Sequence, residues 1–141
     1  MSNSTKLTKE QIIQEYMQDS KNNLDCSAHN ISGGFYKQAV NRAYYCALDA
    51  INACLTTIDI TDHKNHGYVI GEFRKNFIKT KIFAVNISDN LGELFESRND
   101  SDYSKGFQVD VSEAEDLMLK AEEIYDAVKV YIDNYSNNCS A

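Results

Sequence analysis

The segment "GFYKQAVNRAYYCALDAINACL", residues 34–55, decides the fold. From Phe35 onward, apolar or small residues recur three and four positions apart, which is the spacing of one helix face. These residues are Ala39, Val40, Ala43, Tyr44, Ala47, Leu48, Ile51 and Leu55. Four alanines, at 39, 43, 47 and 50, form a stripe of small residues against which a neighbouring helix can pack closely. We therefore predict that this segment is the most buried helix of the molecule.

Segments on both sides carry the same helical period. A capping box of Thr8 and Gln11 predicts a first helix over about residues 8–29, which "NISGG" ends. After "DITDHKNHG" we predict a shorter third helix over about residues 69–78. We predict a fourth helix over about residues 88–98, which a loop follows in the sequence. A second capping box, Ser112 with Glu115, predicts a last helix that ends near residue 135.

The chain has 141 residues and no proline, so long helices around one core are favoured. We predict an all-α antiparallel bundle of four to five helices. Residues 1–141 are expected to form one domain, with a core over about residues 8–135 and short polar tails.

The charge balance argues against non-specific coating of nucleic acid. Fourteen Lys and Arg residues stand against 21 Asp and Glu residues, which gives a net charge of −7. An RNA contact would therefore need a local basic patch. One candidate run lies within residues 63–81, although a solvated helix face explains it at least as well. Its cations are Lys64, Arg74, Lys75, Lys79 and Lys81.

Neither a metal nor another cofactor is predicted. No two of the four cysteines are spaced like zinc ligands, so we expect reduced thiols at Cys26, Cys46, Cys54 and Cys139. For Asp62, His63 and His66, a surface or helix-capping role is a better interpretation than metal binding, because the pattern implies no further ligand. The polar N-terminus and the absence of a long apolar stretch predict a cytoplasmic protein without a membrane segment.

Three segments taken together resemble the HEPN domain family, especially its small stand-alone members in bacteria and archaea. They are the segment 34–55, "HKNHGYVIGEFRKNFIKTKIF" at 63–83, and "LFESRNDSDY" at 94–103, with "VSEAEDLMLKAEEIYDAVKVYI" following. The resemblance covers about residues 10–133. It implies a helical bundle that pairs as a homodimer, with the arginine segments of both subunits facing one cleft. It also implies a minimal nucleotidyltransferase as partner in a toxin–antitoxin pair, and metal-independent endoribonuclease activity in the active members.

The family's ribonuclease motif is arginine, a polar residue, three further residues and histidine. Arg98 and Asn99 match its first two positions, but Tyr103 stands where the histidine would be. Histidine, with a pKa of about 6.5, suits proton transfer near neutral pH, whereas a tyrosine pKa of about 10 does not. An arginine can still bind a phosphate, and a tyrosine can stack on a base. The substitution therefore favours binding over chemistry.

The first hypothesis is accordingly a homodimeric binding module for a nucleotide or RNA that works with a nucleotidyltransferase partner. Its site would use Arg98, Asn99 and Tyr103. Arg42 and Tyr45 are further candidates: Tyr44 and Tyr45 point about 100° apart on their helix, so only one of the two can face the core and the other can line a cleft.

Three other interpretations stay open. The protein could be a metal-independent ribonuclease that uses Arg98 with Tyr103 or His66 as the proton acceptor. It could be a purely structural dimerisation domain that uses the alanine stripe. Arg98 itself could close the end of the fourth helix, or pair with Asp102 or Glu96.

Overall fold

The computed structural model describes residues 6–61, 65–103, 106 and 108–139, although the side chains at 100–103 lie outside this description. The described residues are almost entirely helical and include no strand, so the all-α prediction is confirmed. The five helices are α1 (Lys9–Ser32), α2 (Tyr36–Thr57), α3 (His66–Phe73), α4 (Val85–Tyr103) and α5 (Val111–Cys139). A short π-helical turn, Arg74–Ile78, continues α3.

Helix α2 is the centre of the molecule, as its sequence predicted. It packs against α1, α5, α4 and α3. The alanines of its stripe are all fully buried. Two buried serines of α1 hydrogen-bond to the α2 backbone: Ser20 Oγ donates to the carbonyl of Cys46 and Ser27 Oγ to that of Ala39, each at 2.7 Å. The stripe therefore serves the core of its own chain, where α1 covers it.

The first helix start is confirmed and the last is not. Thr8 and Gln11 form both hydrogen bonds of the capping box. Helix α5, however, begins at Val111, and the side chain of Asp110 accepts the bond from Glu113 N at 2.8 Å. The prediction of Ser112 as cap was therefore wrong, because aspartate caps a helix as well as serine does and stands two residues earlier.

Helix α4 runs from Val85 to Tyr103, so the prediction of a loop after Arg98 was wrong. Residues 93–103 include neither glycine nor proline, and their poor helix formers lower helix propensity without breaking a helix. Arg98 consequently lies within α4 and does not close its C-terminal end.

The third helix was predicted as regular up to residue 78, whereas its last part is the π turn. Three phenylalanine rings pack around this turn. Phe73 stacks on Phe77 with centroids 5.4 Å apart and on Phe83 at 5.6 Å. All three are buried, so this packing offsets the poorer backbone geometry of the π turn.

Asp62, His63 and Lys64 lie outside the described residues. Within the part that is described, no group of histidine, cysteine and acidic side chains could hold a metal ion. Cys46 and Cys54 are buried in α2, while Cys26 and Cys139 are exposed. None of the helices described is long and apolar enough to cross a membrane.

The close contact between α1 and α2 predicts how the protein tolerates larger side chains. Ala43 lies between Ala39 and Cys46 on the α2 face that meets α1, and it is fully buried. Ala43→Leu should lower the free energy of unfolding by about 1–3 kcal/mol through overpacking. Urea unfolding measures this. The control, Ala28→Leu on the exposed face of α1, should change it by less than about 0.5 kcal/mol. Equal midpoints for the two variants would contradict the prediction.

Candidate functional site

Arg98 of α4 lies against two tyrosines of α2. Its Nη2 donates to the hydroxyl oxygen of Tyr45 at 3.1 Å, and its Nη1 donates to Oδ1 of Asn99 at 3.3 Å. The guanidinium carbon is 5.5 Å from the ring centroid of Tyr44 and 5.7 Å from that of Tyr45. These distances are within the range of cation–π attraction, which holds the guanidinium in one position on its aromatic support.

Tyr44 and Tyr45 are neighbours on α2, so their side chains point in different directions and have different surroundings. Tyr44 is fully buried, whereas Tyr45 is half-buried, and their rings meet edge to face with centroids 5.2 Å apart. Burial raises the pKa of Tyr44 far above its usual range, although the charge of Arg98 acts in the opposite direction. Tyr44 therefore stays a neutral phenol in the floor of the site, and Tyr45 is the tyrosine that reaches its rim.

A second guanidinium belongs to the same cluster. The guanidinium carbon of Arg42 is 5.0 Å from the ring centroid of Tyr45. Its Nη1 donates to Asn23 Oδ1 at 3.0 Å, and Asn23 in turn donates to a carboxylate oxygen of Asp49 at 2.8 Å. Burial raises the pKa of Asp49 to about 6, so this carboxylate is mostly charged at neutral pH. Tyr45 thus has two arginines at its ring, and one of them is linked to an acid through an amide.

His66, the first residue of α3, completes the cluster. Its ring centroid is 5.6 Å from that of Tyr44 and 5.8 Å from that of Tyr45. Burial lowers the pKa of His66, and the positive charge of Arg98 lowers it further. The imidazole is therefore neutral near pH 7 and can accept a proton or a hydrogen bond.

An open groove lies between the start of α3 and the later part of α4. Its lining residues are Asn65, His66, Gly67, Phe95, Arg98 and Asn99. The side chain of Asn65 caps α3 by accepting from Tyr68 N at 2.8 Å. The N–H groups of the two residues before Tyr68 have no acceptor inside the helix, as at every helix start. An arginine, an amide and a helix N-terminus together form a cationic, donor-rich surface that suits a phosphate.

The structure brings together most of the candidates that the sequence identified. Arg98, Asn99, Arg42, Tyr45 and His66 all belong to this cluster. Tyr103 is the last residue of α4, and its side chain lies outside the described part of the chain. Arg98 donates to Tyr45 and Asn99, and the side chain of Asp102, one of its two predicted acidic partners, lies outside the described part of the chain.

Several contributors were not predicted. No sequence pattern predicted the ring of Tyr44 as a support for Arg98, or the contributions of Asn23, Asn65 and Phe95 to the site. Of these, Asn65 carried a usable signal, since asparagine directly before a helix is a typical N-cap. Asn23 is 19 residues from Arg42 in the sequence, so only the packing of α1 on α2 reveals that pair.

Fold and site together define a small helical-bundle protein of the HEPN type. The model of the HEPN domain family matches residues 13–131, and the chain therefore belongs to that family.

Two relatives extend the comparison. A protein of Methanocaldococcus jannaschii, named "Putative toxin MJ0142", is 28% identical over 120 residues, which cover 85% of this chain and 81% of the relative. The "UPF0332 protein" of Thermotoga maritima is 26% identical over 126 residues, which cover 89% of this chain and 95% of the relative.

The position of His66 predicts a pH effect that NMR can measure. Its pKa should lie below the ordinary value of about 6.5, and Arg98→Gln should raise it part of the way back, because burial remains. Since the unfolded chain then binds this proton more tightly than the folded one, the contribution of His66 to stability is present above the unfolded pKa and is lost as the pH falls through the folded pKa.

The exposed His29 of α1 is the internal control, because its signals should not respond to the substitution at Arg98. A His66 titration that is identical in the wild type and in Arg98→Gln would contradict the electrostatic contact between the two side chains.

Proposed function

We propose that this protein is a HEPN-type module with a toxin-like role that binds RNA or a nucleotide through a phosphate at Arg98. The observation that carries the proposal is the position of the Arg98 guanidinium, which rests on the rings of Tyr44 and Tyr45 at the edge of an open groove. The name of the relative from Methanocaldococcus jannaschii supports the toxin-like role.

The chemistry of the groove suits this ligand. A guanidinium binds two phosphate oxygens at once, and one that is already held in place loses little side-chain entropy on binding. The amide of Asn99 and the helix start at His66 provide further donors. The half-buried ring of Tyr45 offers an aromatic edge close to the phosphate position, and Tyr103 remains a candidate for stacking on a base.

A homodimer and a protein partner belong to the same proposal. One chain offers two arginines at this site, whereas two chains that face each other across a two-fold axis would double the donors of a shared cleft. The resemblance to the HEPN family implies a minimal nucleotidyltransferase as the partner. Calorimetry of the two purified proteins is the measurement for that association, and absence of heat would remove the partner from the proposal.

The binding site is tested by fluorescence anisotropy with a labelled single-stranded RNA in the presence of a chelator. Arg98→Gln should weaken binding at least about tenfold, because a charge-assisted contact is lost. Arg98→Lys should bind with intermediate affinity, since it keeps the charge and loses the two-pronged geometry. The control is Lys129→Gln on α5, whose ammonium pairs with Asp133 at 3.2 Å.

Equal RNA affinity of the wild type and Arg98→Gln would refute the site. Light scattering on the same samples gives the mass of the protein in solution, and a monomer would remove the shared cleft.

A second function, a metal-independent ribonuclease, is favoured by the neutral imidazole of His66 beside Arg98. In such a reaction the imidazole takes the proton of a ribose 2′-hydroxyl, and the 2′-oxygen attacks the adjacent phosphorus. The bond from phosphorus to the 5′-oxygen breaks, and that oxygen leaves as a hydroxyl with a proton from solvent. Arg98 stabilises the charge that develops on the phosphoryl oxygens. Tyr103 is the other candidate acceptor for this function.

The ribonuclease is tested by incubating the protein with RNA in a chelator and analysing the ends of the products. Cleavage should leave a 2′,3′-cyclic phosphate and a 5′-hydroxyl. His66→Gln and Arg98→Ala should each abolish it, and the rate of the wild type should rise as the pH rises through the pKa of His66. Cleavage that persists equally in Arg98→Ala would exclude the mechanism, and cleavage lost in Arg98→Ala but kept in His66→Gln would transfer the role of base to Tyr103.

A further inference from the structure

The surface of α4 carries acidic side chains on one side and uncharged residues on another. On the side that faces α5, Glu93 and Glu96 line an acidic groove together with Glu113 and Asp116. Lys120 of α5 pairs there with Glu93 at 3.3 Å. On the other side, towards α3, four residues that follow one another at intervals of about one helical turn carry no negative charge. They are Ser88, Gly92, Phe95 and Asn99.

A third arginine lies against this uncharged side of α4. Arg74, at the start of the π turn, donates from Nε to Ser88 Oγ at 2.9 Å and from Nη2 to the carbonyl of Ser88 at 3.3 Å. A Cβ atom on Gly92 would be 3.1 Å from Nη2 of Arg74. The guanidinium therefore packs against the backbone of α4 at a position where any side chain would push on it.

The hydrogen bonds to Ser88 orient the Arg74 guanidinium but do not use all of its donors. A guanidinium carries five N–H donors, and the two bonds to Ser88 involve only Nε and Nη2. Arg74 is also exposed, so Nη1 is accessible to a ligand. The exposed Lys75 follows Arg74 in the sequence and adds a second positive charge to the π turn.

Arg74 and Arg98 stand at opposite ends of the surface between α3 and α4. The contacts place His66 near Arg98 and Arg74 near Ser88, so the two helices run in opposite directions along it. Arg74 is eight residues beyond His66, which corresponds to about 12 Å along a helix. That separation is too long for one phosphate to bridge.

The surface between the two arginines is open to a polynucleotide backbone. Gly67 and Gly71, one turn apart on α3, are both exposed, and nothing lies within 4 Å of the position of a Cβ on Gly71. A ligand can therefore approach the backbone of α3 closely. The half-buried ring of Phe95 lies on the opposite wall and offers an apolar surface for a base.

We propose that a single-stranded RNA binds along this surface, with one phosphate at Arg98 and a second, non-adjacent phosphate at Arg74. The inference rests on the proposed function at Arg98 and extends it from a single phosphate site to an RNA-binding track that runs from Arg98 to Arg74. It explains why a guanidinium is held against a glycine of α4, outside the cluster of tyrosines.

The test measures the affinity for single-stranded RNAs of one to eight nucleotides, in a chelator and over a range of salt concentrations. For the octamer, Arg74→Gln should lower the affinity about tenfold and should reduce the slope of log affinity against log salt by about 0.7, which is the value for one phosphate contact of a single strand. The loss should grow with the length of the RNA.

Gly92→Ala is the more specific variant, because it changes no charge. Its methyl group would shift Nη2 of Arg74 by a few tenths of an ångström, and alanine favours the helix, so the thermal midpoint should not fall while the octamer affinity falls by less than in Arg74→Gln. Lys129→Gln removes one positive charge elsewhere and should leave the octamer affinity unchanged.

The outcomes distinguish this inference from the function on which it rests. Loss of octamer binding in Arg98→Gln together with wild-type affinity and salt slope in Arg74→Gln would overturn the track and keep the site. Absence of binding by the wild type at every length would overturn both. An equal loss for Arg74→Gln at every RNA length would also overturn the track, because it would show that Arg74 acts on the Arg98 phosphate itself.

Discussion

The close packing of α1 on α2 is the constraint on which the rest of the structure depends. Small residues of α2 and two buried serines of α1 let the helices approach, and the serine hydroxyls bond to the α2 backbone. With its orientation fixed, α2 must bury Tyr44 completely and bring Tyr45 to the surface, because neighbouring residues of a helix point about 100° apart. Arg98 can rest on these two rings only because they diverge in this way. The site is thus a consequence of helix packing and does not depend on a loop.

Two guanidiniums at one tyrosine ring would repel each other, and the structure contains features that offset this cost. The rings attract both cations, and the Arg42 side chain is linked through Asn23 to the partly buried carboxylate of Asp49. The charge of Arg98 also acts on its surroundings. The lowered pKa of His66 is one effect of that charge, and attraction of a phosphate is the other effect that we propose. The charge of Arg98 therefore adds to the effect of burial in keeping the imidazole neutral, and the same charge would attract the proposed ligand.

The sequence predicted those features that depend on local spacing. The burial of α2, the capping box at Thr8 and the division of roles between Tyr44 and Tyr45 all follow from helical periodicity. Features that depend on tertiary contacts were missed. Helix α4 continues past Arg98 although the residues after Arg98 are poor helix formers. The π turn is stabilised by the packing of Phe73 on two other rings. The contact of Arg74 with Gly92 joins two elements that no local pattern relates. Tertiary packing overrides propensity at each of these places.

The net charge of −7 is a poor guide to what this surface binds, because two acids of α4 line a different groove from Arg98. Exposed charges are largely screened beyond about 8–10 Å at physiological salt, so a phosphate near Arg98 responds mainly to the groups in its own groove. The acids of α4 at 93 and 96 line the groove shared with α5, and Lys120 partly neutralises them there. Nucleic acid would thus meet a repulsive long-range field and an attractive local one. Such a balance disfavours non-specific coating by nucleic acid. Binding is expected only at a site where arginines are held at fixed positions, because only there does the short-range attraction exceed the repulsion.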